Sequence, residues 1–398
     1  MDPVSPLPAL AGFAIALITV FLLSGPLRIA PQGDRISTID GLRGYLACGV
    51  FLHHSAVWYY YLHTGKWTAP PSHLYGHLGQ TSVALFFMIT GFLFYSKILS
   101  PRPIDWTRLF VSRLLRLTPL YLVVVVLMLI VVGVQTHWEL REPLIPLVKH
   151  IVRWFLFLQG DVNQMTEIRR ITAGVTWTLP YEWSFYFLLP LLALLSARRV
   201  PLATLPIVVF GAFYMYLAGL IFKPFFFTFF LGGIGAAFLA RLAWFRHLAA
   251  HKASSLVILA CMVCLVTLFA DAYGTKQLGL IFVAFSLIAA GNSLFGVLAN
   301  RVSRALGEIT YSIYLLHGLL LYTLMKLVLF PDASAALPSP LAFWGIILAV
   351  TPVLITLSML TFKLIEQPGM QLTGAATSAL KTGWSRLRGP SARLGAPR

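Results

Sequence analysis

Residues 118–135 read Thr118-Pro119-Leu120-Tyr121-Leu122-Val123-Val124-Val125-Val126-Leu127-Met128-Leu129-Ile130-Val131-Val132-Gly133-Val134-Gln135, a run without a single charge. A helix rises about 1.5 Å per residue, so about 20 mainly apolar residues cross a hydrocarbon core of about 30 Å. The run therefore reads as a membrane span. Arg108, Arg113 and Arg116 stand just ahead of it, where basic residues anchor a span on its cytoplasmic side. The composition of the whole chain agrees. Of its 398 residues only 11% are charged, against about 25% in an ordinary soluble domain. A hydrophobic share of 58% and a mean hydropathy of +0.82 leave too few polar side chains to cover a water-facing surface. A cytosolic enzyme, a secreted disulfide scaffold and a disordered chain are all excluded.

Ten further runs resemble the first, which places spans at about 7 to 24, 43 to 62, 79 to 96, 118 to 135, 177 to 196, 202 to 218, 221 to 240, 254 to 270, 278 to 298, 308 to 330 and 341 to 363. With 97 to 117 placed in the cytoplasm, the connecting segments on that side collect most of the basic residues, among them Arg28, Arg35, Arg43, Arg198, Arg199, Arg241, Arg246, Arg301, Arg304 and those of the C-terminal end. The net charge of +17 thus orients helices, and nucleic acid is not an expected partner. Cys48, Cys261 and Cys264 all fall in apolar runs, so no disulfide framework is read. The first span is expected to be an uncleaved helix with its N-terminus outside, because Met1-Asp2-Pro3 lacks the positive start of a signal peptide. Segment 136 to 176 is the one long insertion, and Lys149 to Leu158 within it reads as an interfacial amphipathic helix, a lid or an acceptor-binding surface. The expected organisation is an N-terminal helix and linker over 1–42, a membrane domain over 43–365 and a basic cytoplasmic tail over 366–398, solvated from about Gly374.

Ionisable groups at membrane depth cost several kcal/mol unless paired or hydrated, so Arg43, His53, His54, Glu182 and His317 mark function. Lys223 and Lys326 lie near span ends, where a long side chain reaches the interface. Eleven residues separate Arg43 from His54, which is three helical turns plus about 20°, so the two share a stripe about 16 to 17 Å long. Such a stripe suits an extended ligand with an anionic head and a reactive far end. Acyl coenzyme A has that shape. A guanidinium fork holds two phosphate oxygens at once, and an imidazole accepts a hydroxyl proton at neutral pH. The alternative keeps Arg43 as a membrane anchor and His54 as a helix contact. Glu182, about five residues into its span, is expected in the outer half of the bilayer beside His54, where a carboxylate would orient the ring; the alternative is a carboxylate satisfied by hydroxyls. His317, with Tyr311 and Tyr314 on neighbouring turns, either lines the same cavity or bridges helices. His53 points about 100° away from His54 and reads as structural, and the two diverge too far for a metal site.

These residues stand in stretches that resemble the acyltransferase 3 family of membrane acyltransferases. Ile39-Asp40-Gly41-Leu42-Arg43-Gly44 with His54 looks like its opening helix, and Phe86-Phe87-Met88-Ile89-Thr90-Gly91-Phe92 like its phenylalanine-rich run, with Thr90 in place of serine. The basic turn Arg113-Leu114-Leu115-Arg116, the segment from Trp177-Thr178-Leu179 through Glu182, Phe185, Tyr186 and Pro190, the run Leu306 to His317 and Leu364-Ile365-Glu366-Gln367-Pro368 are similar to the remaining signatures in order. Pro180 is a departure and bears on where its helix starts.

The resemblance implies transfer of an acyl group, usually acetyl, from acyl-CoA to a hydroxyl of a carbohydrate, often a cell-envelope glycan or lipid-linked sugar. It implies essential roles for Arg43 and His54 and donor contacts at Arg113 and Arg116, with Trp177, Tyr186, Tyr314 and His317 as cavity-lining candidates. The expected fold is an all-α polytopic membrane protein of about 10–11 transmembrane helices enclosing a central acyl-CoA channel. It would lie in the cytoplasmic (inner) membrane with the C-terminus in the cytoplasm. Acetyl-CoA is expected as co-substrate, with no tightly bound cofactor and no metal. Longer family members carry a soluble C-terminal domain, so acceptor chemistry here would fall to the membrane domain or to a separate periplasmic or extracellular partner. The competing class is a transporter or flippase of an acylated or lipid-linked precursor, which would make no bond and release no free coenzyme A.

Overall fold

The computed structural model describes residues 2–30, 36–219, 224–331 and 337–387. Arg35, Lys223, Arg388, Arg393 and Arg398, and the side chain of Arg386, lie outside the described residues. In chain order the helices are α1 (Pro6–Ser24), α2 (Ser37–Thr64), α3 (His73–Leu99), α4 (Trp106–Gln135), α5 (Leu144–Phe155), α6 (Ile168–Ile171), α7 (Thr178–Leu195), α8 (Leu205–Leu217), α9 (Phe225–Leu239), α10 (Ala243–Ala250), α11 (Lys252–Leu268), α12 (Thr275–Ala289), α13 (Arg301–Glu308), α14 (Thr310–Tyr322), α15 (Pro340–Thr361), α16 (Gln367–Gln371) and α17 (Thr373–Leu387). Among the described residues there is no β-strand, and the protein is an all-α polytopic membrane protein.

Each of the eleven apolar runs carries a helix. Among the described residues six helical segments are long and apolar enough to cross a membrane, and α9 with α10 adds a seventh if that pair, bent by 100°, is one span. The helix α2 has the length, at 28 residues, but Arg43, His53 and His54 lower its apolar character, and it sits inside the bundle. The helices α8 and α12, of 13 and 15 residues, are shorter than the spans expected there, while α11, of 17, has the expected length. The run 278 to 298 stops as a helix at Ala289, followed by Gly291 at φ +116°, which only glycine adopts without strain. Glu366 is fully buried, and the chain beyond it continues as α16 and an exposed α17 that packs on α4, with Lys381 Nζ 2.7 Å from Asp105 Oδ2.

Local chemistry sets the helix ends. Ser72, Asp105, Asn300 and Ser339 each accept a backbone N–H of the first turn of α3, α4, α13 and α15. Pro180 sits in the first turn of α7, where its missing N–H has no partner to lose. The centre of the bundle is α2 and α3, flanked by α9, α13 and α14. Gly91 explains one motif physically: a Cβ there would lie 2.3 Å from the Phe230 carbonyl oxygen, so only glycine lets α3 and α9 meet backbone to backbone.

The insertion 136 to 176 carries α5 slightly earlier than expected, with Leu144, Ile145, Val148 and Val152 exposed along it. Asn163 locks the insertion to the end of α4. Its Nδ2 donates to Thr136 Oγ1 (3.2 Å) and to the Glu139 carbonyl (2.7 Å), and its backbone N–H donates to Glu142 Oε1 (2.6 Å). Asn163 and Arg108 therefore stand at opposite ends of a 30-residue helix about 45 Å long. Beyond Asn163 the chain does not stay on the surface. Thr172, Ala173, Val175 and Thr176 are all buried, and Thr172 and Ala173 press against Gly318 of α14, where a Cβ would lie 2.3 Å from the Thr172 carbonyl carbon. The helix α7 consequently begins inside the bundle.

Candidate active site

Arg43 of α2 and Arg113 and Arg116 of α4 converge on one cavity of about 850 Å³. Its wall is completed by Phe86, Thr90 and Phe94 of α3, Thr178, Glu182 and Tyr186 of α7, and Tyr311 and Tyr314 of α14. Arg113 and Arg116 are three residues apart on one helix and so face the same way. The Arg113 guanidinium lies 5.3 Å from the centroid of the Phe94 ring. A guanidinium that lines a cavity is a donor for an anionic ligand.

Glu182 and Tyr186 are one turn apart on α7, and the tyrosine hydroxyl donates to the carboxylate. Tyr186 in turn packs against Phe94, the ring centroids 4.8 Å apart and the planes tilted by 54°. Pro190 has no N–H for the Tyr186 carbonyl, loosening α7 at this level. On α14, the Tyr314 hydroxyl lies 2.9 Å from Thr178 Oγ1 and donates to the Val175 carbonyl at 3.0 Å. Tyr311 donates to the Leu117 carbonyl of α4 at 2.8 Å.

The histidines stand apart from this cavity. His54 Nδ1 is 3.0 Å from the Val50 carbonyl and 3.2 Å from His317 Nε2, and the two rings lie 5.1 Å apart. His317, fully buried, has its Nδ1 2.9 Å from the Ile313 carbonyl. His53 turns the other way, donates to the Tyr75 carbonyl at 2.7 Å and packs on Gly79 of α3.

Of the expected site residues, Arg43, Arg113, Arg116, Glu182, Tyr186 and Tyr314 share the cavity. His54 and His317 pair with each other beyond its end, where Phe86 and Tyr314 meet at 5.9 Å. Trp177 lies outside the lining and joins Phe87, Tyr181 and Phe226 in an aromatic cluster. Glu182 and His54 are not brought together: Glu182 lines the arginine cavity and accepts from Tyr186 on its own helix, whereas His54 pairs with His317.

One buried group was not singled out by sequence. Glu366 accepts a hydrogen bond from Ser312, which is held at 3.0 Å by Thr361, and it lies within electrostatic reach of Arg116 and Arg43. The signal was a lone carboxylate just past an apolar run, but the expected span end at 363 put it in the cytoplasmic tail.

A family model described as an acyltransferase domain matches residues 36–362. The chain belongs to the acyltransferase 3 family and is a membrane acyltransferase. Among curated proteins it is similar to Nodulation protein 10 of Rhizobium leguminosarum bv. viciae, 25% identical over 379 residues that cover 87% of this chain and 96% of that protein. No solved structure matches.

Proposed function

We propose that the protein transfers an acyl group, acetyl in the simplest case, from cytoplasmic acyl-CoA to a hydroxyl of an envelope glycan or lipid-linked sugar. The observation that carries this reading is the convergence of Arg43, Arg113 and Arg116, from two helices, on a cavity at the foot of the stripe that ends at His54. The arginines hold the donor's phosphates, with Glu182 limiting the cost of their burial. The pantetheine arm runs along α2 past Tyr314, and the thioester reaches His54.

His54 takes the acceptor hydroxyl proton on its Nε2 as the oxygen attacks the thioester carbonyl. The carbon–sulfur bond then breaks, and the proton passes from Nε2 to the leaving thiolate. The acceptor enters from the opposite end. There the buried Trp58, one turn beyond His54, meets the half-buried Tyr61 and Trp67 edge-on at 5.4 and 5.2 Å, and a sugar ring would stack on the faces of those two. In this reading the protein lies in the cytoplasmic membrane with its C-terminus inside, and any extracytoplasmic partner delivers acceptor.

The test is release of free coenzyme A from acetyl-CoA by purified protein. Release that depends on added acceptor, with a matching acyl mass lost from envelope glycans of cells lacking the gene, is the expected result. Translocation of a precursor without any release would favour a flippase.

A further inference from the structure

The hydrogen-bond geometry around the two histidines assigns the position of each proton. A carbonyl oxygen only accepts, so His317 Nδ1, 2.9 Å from the Ile313 carbonyl, carries the hydrogen, and the Nε2 of the neutral ring is a lone pair. That lone pair faces His54 Nδ1 at 3.2 Å. His54 Nδ1 is also 3.0 Å from the Val50 carbonyl, so it too carries a hydrogen, shared between Val50 and His317. The remaining His54 nitrogen, Nε2, is then the unprotonated one, as a base requires.

We propose that His317 is the positioning residue for His54: it accepts the Nδ1 hydrogen, reinforces the tautomer that the Val50 carbonyl also holds, and receives a strengthened hydrogen bond when Nε2 takes up the acceptor's proton. The proposal rests on the reading of His54 as the base. It gives His317 the role that a carboxylate fills in a hydrolase triad, without burying a negative charge beside the thioester. The surroundings hold His317 still. Phe51 meets its ring edge-on at 6.5 Å, Tyr314 flanks it at 6.2 Å, and the next residue, Gly318, is pressed against Thr172. His53 cannot substitute, since its Nδ1 is committed to Tyr75 on α3.

Two amides separate this role from packing. Glutamine places its oxygen where His317 Nε2 stands and can still accept from His54, whereas asparagine keeps only the bond to Ile313. Purified His317→Asn, His317→Gln, His54→Ala and the double variants are compared for kcat and for donor KM. The expected result is a kcat about 10- to 100-fold lower in His317→Asn, less than the roughly 10⁴-fold of a wrong tautomer because Val50 still holds Nδ1. Donor KM changes little, and His317→Gln recovers most of the rate. In the His54→Ala background, His317→Asn lowers the residual rate no further.

If His317→Asn fails to insert, His317→Met, apolar and of similar size, makes the same comparison with His317→Gln. Normal kcat in His317→Asn, or an undiminished loss in the His54→Ala background, overturns the assignment while leaving His54 as the base. Near-normal turnover in His54→Ala overturns the base reading itself.

Discussion

The two ends of one helix stripe, Arg43 and His54 of α2, occupy very different surroundings. At the Arg43 end, three guanidinium groups and the Glu182 carboxylate border an open cavity, with Arg113 over the Phe94 ring. At the His54 end, imidazole nitrogens are tied one by one to carbonyls and to each other beneath aromatic rings. The first arrangement suits binding of a large anion, which needs many donors and room. The second suits moving a single proton, which needs one defined lone pair and a dry, fixed partner. A rise of about 16 Å separates the tasks, so substitutions at the two ends should divide between turnover and donor affinity.

The largest effect is expected at the histidine end. His54→Ala should lower kcat by about 10² to 10⁴, the usual worth of a general base, with donor KM nearly unchanged, whereas His53→Ala should keep most activity. Equal losses in both would erase the distinction between the ends. At the arginine end, Arg43→Lys and Arg116→Ala should instead raise donor KM, by about tenfold or more, because an ammonium cannot reproduce a bidentate phosphate contact. Donor titrations of membranes carrying each variant decide this, and an unchanged KM would remove the phosphate role.

A smaller effect sharpens the link between the ends. Gly318→Ala forces a methyl group into the Thr172 backbone and should cost about 1 to 3 kcal/mol, read as a lower melting temperature in detergent. Full stability would mean that the inward fold of the 136 to 176 segment is not tight. Lys381→Ala should do least. Its bond to Asp105 is exposed and worth at most about 1 kcal/mol, so activity and melting should barely move. For orientation, cysteines introduced near Arg108 and near Asn163 should label from opposite sides of the membrane.

What was legible in the sequence follows from what is local. Apolar length marked a helix in each of the eleven runs, and the 3.6-residue repeat placed Arg43 and His54 on one stripe because both belong to a single unbroken helix. The spacing of Arg113 and Arg116 likewise needed only α4. Glu182 was misplaced for a tertiary reason: it meets the arginine cavity rather than His54 through the packing of separate helices, and no periodicity records that. Glu366 was missed because a carboxylate at a helix end looks solvated until another helix, here through Ser312, covers it. The pairing of His54 with His317 joins residues 263 positions apart, and only packing could reveal it.

The central claim is that one extended donor bridges the two ends. The most direct measurement uses two photoreactive acyl-CoA analogues, one activated on the adenine and one on the acyl chain, cross-linked to purified protein and mapped by peptide mass spectrometry. The account predicts that the adenine probe marks the peptides around Arg113 and Arg116, that the acyl probe marks those holding His54 or His317, and that excess coenzyme A suppresses both. An acyl probe that marks the arginine end, or labelling that coenzyme A leaves untouched, would contradict it.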